Sequence, residues 1–316
     1  MAVFPSFAPL RAPVFAPLTA SRRSLLRGLA PAAAGIAGLL RPAVAGAPGG
    51  AGSVAAVALF VAFDVLAERP AELQRLLHLL ADRAAVAADA DAALTLAVGG
   101  ALFDRRFGLA RLRPRHLALP AAINAGDVGP APWHGDLLLQ IEAASPGPAA
   151  AALRDVVRHT HALLAPRWKV NGFRPRDPDV RARGPLPGVE PGPLGEPAWM
   201  QGGSYVEVRK RRYPVERGDA DARTDTGALA GDPASVLRHF AYDHGIDEAG
   251  QFDMGRISCR YLREPGAWPE AAADMGRERC GGGGLFFVLP GLRETAASFR
   301  AALAEATRAP RNLGSG

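Results

Sequence analysis

Val54-Ala55-Ala56-Val57-Ala58-Leu59-Phe60-Val61-Ala62-Phe63-Asp64-Val65-Leu66 is apolar at every position but one. A strand apolar on both faces belongs in the middle of a covered sheet, because a half-exposed strand would alternate. Pro70 then suits the first turn of a helix, where its missing N–H costs nothing. Leu73, Leu76, Leu77 and Leu80 follow on one helical face. Leu94 to Val98 and Asp136 to Ile141 read as two more strands. Ala149 to Leu164 reads as a helix, with Leu153, Val156, Val157, Leu163 and Leu164 on its buried side. Trp168 to Phe173 is extended again. Strands and helices thus alternate, which predicts an α+β or α/β layer.

The composition is compatible with that reading. The chain has 316 residues, 48% of them hydrophobic and 22% charged, enough to bury a real core. A disordered chain, a collagen-like chain and a disulfide-built miniprotein are excluded. The length suggests about two domains. From Gly172 to Gly203 the texture changes, and Pro175, Pro178, Pro185, Pro187, Pro191, Pro193 and Pro197 forbid any long helix. Ser204 to Tyr213 resumes as a strand, with Val206 and Val208 on one face and Glu207, Arg209 and Arg211 on the other. Phe252 to Arg263 and Gly284 to Leu289 are further strand candidates, and Arg293 to Arg308 a closing helix. The expected organisation is a leader over 1–45, a first half over 46–170, a Pro/Gly-rich connection over 171–203 and a second half over 204–316.

The net charge of +6 is concentrated at one end. Arg11, Arg22, Arg23, Arg27 and Arg41 precede any acidic residue, the first of which is Asp64. Without this segment basic and acidic residues nearly cancel, so bulk charge does not predict a nucleic-acid partner. Ser21-Arg22-Arg23-Ser24-Leu25-Leu26, an apolar run to Leu40, and Ala43-Val44-Ala45 have the parts of an export signal. The paired arginines resemble the twin-arginine type. The expectation is export by the twin-arginine machinery to the periplasm or beyond, cleavage near Gly46, and no membrane span afterwards. In an oxidising compartment Cys259 and Cys280 either pair or remain two small apolar residues.

Several segments carry a resemblance. In order they are Phe60 to Leu66, Leu102-Phe103-Asp104-Arg105-Arg106-Phe107-Gly108-Leu109, His134-Gly135-Asp136-Leu137, Trp168-Lys169-Val170-Asn171-Gly172-Phe173, Gly195-Glu196-Pro197-Ala198-Trp199-Met200, Asp253-Met254-Gly255 and Phe286-Phe287-Val288-Leu289-Pro290-Gly291. Together they resemble the dye-decolourising (DyP-type) haem peroxidases, specifically the exported branch with the deferrochelatases. The resemblance implies two ferredoxin-like halves with antiparallel sheets flanked by helices, a dimeric α/β barrel-like arrangement. It implies haem b in the second half, a proximal His on iron, and a distal Asp and Arg to handle hydrogen peroxide. Peroxide with a small-molecule reductant, or haem itself, would be the partners, and a homo-oligomer is compatible.

The departures fall on the haem site. No Gly-x-x-Asp-Gly precedes Gly195, and Asp232-Pro233-Ala234-Ser235 runs directly into Val236-Leu237-Arg238 where the proximal His block should begin. The second half therefore reads as internally shortened. By the resemblance Arg238 inherits the distal arginine's role. His239 and His244 lie nearest the lost ligand and are either replacement haem ligands or ordinary loop histidines. Arg209 and Arg211 either meet haem propionates or face water, and Phe286 lines the cofactor by the same resemblance. The implied function is a haem-dependent peroxidase or deferrochelatase-like protein. The alternative is a non-catalytic, internally deleted relative that keeps the scaffold for partner binding, or a decayed gene product.

Overall fold

The structure is a computed structural model that describes residues 56–117, 133–174, 196–213, 235–248, 250–265 and 279–290, with isolated positions at 297, 301 and 304. The leader and the Cys280 side chain lie outside the described residues, as do most of the expected closing helix and the connection between 175 and 195.

The decisive apolar stretch forms β1 (Val57–Val65), followed by α1 (Pro70–Asp89), β2 (Ala92–Gly99), β3 (Leu137–Ala143), α2 (Pro146–Thr160) and β4 (Leu164–Phe173). The second half contributes β5 (Ser204–Arg212), β6 (Ser235–Ile246), β7 (Phe252–Leu262) and β8 (Arg279–Val288). Leu163 and Leu164 do not extend α2 as expected: the helix stops at Thr160, and Leu164 opens β4. β6 covers a stretch to which the sequence reading assigns no element; it has no long apolar run.

All pairings are antiparallel, and the strands close in the order β1-β3-β2-β8-β5-β7-β6-β4. The first half alone runs β4-β1-β3-β2, with β1 flanked by β3 and β4. The second half runs β8-β5-β7-β6. Each is the order of a ferredoxin-like sheet, so the two halves repeat one topology. They join edge to edge through Val98↔Phe287 on one side and Phe173↔Ala241 on the other. Closure removes the free edges that two open sheets would expose.

Two apolar groups result. Leu59, Val61, Phe63 and Val65 of β1 face outward and pack under Leu73, Leu76 and Leu77 of α1 and Val156 of α2. Ala58, Phe60 and Ala62 face inward and meet Val206, Phe240, Tyr242, Ile257 and Tyr261 from the second half inside the barrel. Both faces of β1 are therefore covered, which is why its sequence does not alternate. The seam between β4 and β6 needs Gly172, where a Cβ would stand 2.8 Å from Phe240 Cβ.

The segments that carry the resemblance hold one another in place. Asp136 is buried, accepts the Val65 N–H at 2.7 Å through Oδ2, and meets Arg106 Nη2 at 2.7 Å through Oδ1. Arg106 Nη1 also donates to the Val65 carbonyl at 3.0 Å. The Trp168 indole donates to the His134 carbonyl at 3.3 Å. Tyr205 donates to Glu196 at 2.8 Å, and Trp199 donates to the Leu112 carbonyl at 3.1 Å. These residues satisfy buried backbone groups at strand ends, a structural service.

Candidate functional site

Side chains on a strand alternate between faces, and this sorts the candidates in the second half. Val236, Arg238, Phe240 and Tyr242 of β6 lie opposite Tyr261, Cys259, Ile257 and Gly255 of β7, and this side turns into the barrel. Leu237, His239 and Ala241 lie opposite Arg260, Ser258 and Arg256 and turn to the outer face. Glu207, Arg209 and Arg211 of β5 continue that outer face beside Arg260, Ser258 and Arg256. Arg238 and His239, adjacent in sequence, thus stand on opposite sides of the sheet.

Inside the barrel, Arg238 Nη1 donates to Glu142 Oε1 at 3.0 Å, with both side chains nearly inaccessible. Its guanidinium lies 5.3 Å from the Tyr261 ring centroid. Gln140 donates to Glu142 and accepts from the Tyr261 hydroxyl. Burial drives the Tyr261 pKa well up, so its phenol is a fixed donor. Cys259 is a free thiol within the same region, fully buried and pushed up in pKa by that burial. No disulfide to Cys280 therefore forms. Phe286 also faces this interior. Phe60, Phe240, Tyr242 and Val206 are buried in the same interior.

The outer face has other chemistry. His239 Nδ1 lies 2.8 Å from Ser258 Oγ, which fixes the ring, and Nε2 is buried. Arg211, Arg256 and Arg260 are buried on the same face, and Arg260 pairs with Glu207 at 2.7 Å. Burial raises the Glu207 pKa, with Arg260 opposing. An imidazole oriented through one ring nitrogen is the usual state of a metal-ligating histidine. Guanidiniums suit carboxylates such as propionates. In donor chemistry this face fits haem. All seven histidines lie among the described residues, and of these His239 alone is placed on this face. His244 sits at the end of β6, 3.3 Å from Asp253, which also holds Lys210 at 2.9 Å. His78, His159 and His161 are on exposed helix surfaces with Nδ1 against backbone carbonyls.

Sequence reading missed Gln140, Glu142, Ser258 and Tyr261. Gln140 and Glu142 were visible in principle: two polar residues two apart in an otherwise apolar strand share a buried face and need partners. Ser258 carried no such sign. Among the described residues no three His, Cys, Asp or Glu side chains gather to hold a metal, and no helix is long and apolar enough to cross a membrane.

Two ferredoxin-like halves closing one barrel, with a basic, imidazole-bearing outer face on the second, define an α+β barrel protein. Residues 51–174 match the family model described as Dyp-type peroxidase, N-terminal. The chain is 29% identical to the deferrochelatase of Escherichia coli strain K12, covering 78% of this chain and 83% of that protein. The deferrochelatase of Shigella flexneri is also 29% identical, over 76% of this chain and 81% of its own. In fold the chain is similar to DtpA from Streptomyces lividans, with a TM-score of 0.56, 24% identity, and coverage of 77% and 92% of the two chains. A DyP-type peroxidase from Cellulomonas bogoriensis gives a TM-score of 0.60 at 18% identity, covering 82% and 98%. The first half thus matches the Dyp-type peroxidase N-terminal model, and the chain over three quarters of its length is similar to deferrochelatases. The match to the K12 protein runs over 354 positions, more than the 316 residues present here, so that relative carries internal segments with no counterpart in this chain.

Proposed function

We propose that the chain is a haem-dependent, deferrochelatase-like DyP-type protein that uses hydrogen peroxide to oxidise small molecules or acts on haem in iron uptake. The observation that carries the reading is the similarity to deferrochelatases across more than three quarters of the chain. When bound, haem supplies an iron whose oxidation state changes as peroxide is reduced. The chain's own part is on the outer face of the second half. His239 would hold the iron through Nε2, its ring set by Ser258. Arg209 and Arg211 would pair with the propionates. Glu207 faces the same way, where it pairs with Arg260. Arg238 is engaged with Glu142 inside the barrel, so we assign it to holding the two halves together instead of to peroxide.

A second reading keeps the scaffold without the chemistry. It is favoured by the inward turn of Arg238 and by the segments of the relative that this chain does without. One experiment separates the two: haem titration of the purified protein, desalting, and an absorption spectrum. The first reading expects a Soret band retained near equal stoichiometry, lost or shifted in His239→Ala and kept in His244→Ala. No retained haem in the parent chain would leave only the scaffold reading. A band unchanged in His239→Ala would remove that residue as the ligand. Export is part of the proposal and rests on Ser21 to Leu26 and the apolar run that follows; fractionation of expressing cells tests it.

A further inference from the structure

Among the described residues, the interior of the barrel holds more buried charge than its partners neutralise. Arg238 and Glu142 pair, but Arg238 Nε and Glu142 Oε2 are buried without hydrogen-bond partners. Arg174, which follows β4, brings a second guanidinium to the same end of the barrel. Its backbone N–H donates to the Ala56 carbonyl at 2.8 Å, and its guanidinium lies 5.3 Å from the ring centroid of Phe240, an inward-facing residue. Arg174 Nε and Nη1 are likewise buried and unpartnered. Ala58 pairs with Glu142 on one side and Gly172 on the other, and Arg174 follows two residues beyond Gly172.

The inventory of these groups is lopsided. The unpartnered atoms offer several N–H donors on two arginines against one carboxylate oxygen. Among the described residues the charges here are two positive and one negative. A buried donor left unmade is costly, and a buried charge left uncompensated more so. Water satisfies donors but not charge. From this arrangement we infer that the barrel encloses a site for one small monovalent anion, of chloride or formate size, held between Arg174 and Arg238. The Glu142 oxygen limits its charge, since a divalent anion would meet that carboxylate. Burial lowers the Arg174 pKa; Glu142 opposes this and Arg238 adds to it, which agrees with a cation short of counter-charge.

The site bridges the two halves, because Glu142 and Arg174 come from the first and Arg238 from the second. Anion binding should therefore stabilise the closed barrel. The test is thermal unfolding of the full chain at constant ionic strength, with chloride exchanged for the bulky anion gluconate. The expected result is a saturable rise in Tm, about 3 °C when chloride reaches ten times its dissociation constant. Arg174→Gln should lose the rise, and Arg174→Lys, which keeps the charge but not the fork, should weaken it. Crystals soaked in bromide should show an anomalous peak between the two guanidiniums. A Tm independent of chloride in the parent chain would overturn the inference and leave the space to water. An equal rise in Arg174→Gln would overturn it too, as a general salt effect.

Discussion

Arg238 shows how far one residue's neighbours decide its role. The resemblance gives it the place of a peroxide-handling arginine, yet its side chain meets buried Glu142 inside the barrel. Removing one partner of such a pair leaves the other buried and uncompensated, at a cost of about 3–5 kcal/mol. Arg238→Ala is therefore expected to lower unfolding free energy by that order, measured by urea denaturation. Joint replacement, Arg238→Met with Glu142→Gln, should recover part of the loss, because neither member of the pair is then left as a lone charge. A loss of activity in Arg238→Ala with unchanged stability would reverse this assignment. His239 is the counter-case. It was singled out for its place near a missing segment, and alternation along β6 put it on the face where Ser258 orients its ring.

Between elements, the seam of β4 and β6 is the narrowest point of the design. One residue pair, Phe173↔Ala241, joins the strands there, against long ladders within each half. Gly172 allows that approach, since any Cβ would press on Phe240. Gly172→Ala is expected to cost about 1–3 kcal/mol through overpacking and to raise amide exchange in β4 and β6 before other strands. Exchange spread evenly over all eight strands would mean that the seam is not the weak point. The Asp136–Arg106 pair works at the opposite end of β1, where it ties the strand terminus to the turn after β2. Most of these strands were legible from apolar runs, but β6 was not. Val236-Leu237-Arg238-His239-Phe240-Ala241-Tyr242-Asp243 mixes charge and aromatics because each face meets a different environment, one the barrel interior and the other the basic outer surface.

At the scale of the whole molecule, neither half has its inner face covered alone. Ala58, Phe60, Ala62 and Val170 of the first half pack on Val206, Phe240 and Ile257 of the second. A fragment of residues 51–174 would expose that apolar face and the free edges of β2 and β4. It is expected to self-associate or aggregate, shown by size-exclusion chromatography and rapid proteolysis, although its helices and outer core are intact. A monomeric, protease-resistant fragment would show that the barrel interior contributes little.

The amino-acid sequence by itself determined the two-layer first half, the resemblance to DyP-type peroxidases, and the leader-like arginine pair, because apolar periodicity and short motifs are local properties. It also showed Glu207, Arg209 and Arg211 sharing a face, since alternation along a strand needs no knowledge of what lies across from it. Only the tertiary structure decided that Arg238 and His239 part company, that Glu142 and Arg174 from one half meet Arg238 from the other, and that two similar sheets close into one barrel. Those outcomes depend on which strands become neighbours. Contacts between residues about a hundred positions apart are set by strand order and register, and pairwise pattern along the chain does not encode either.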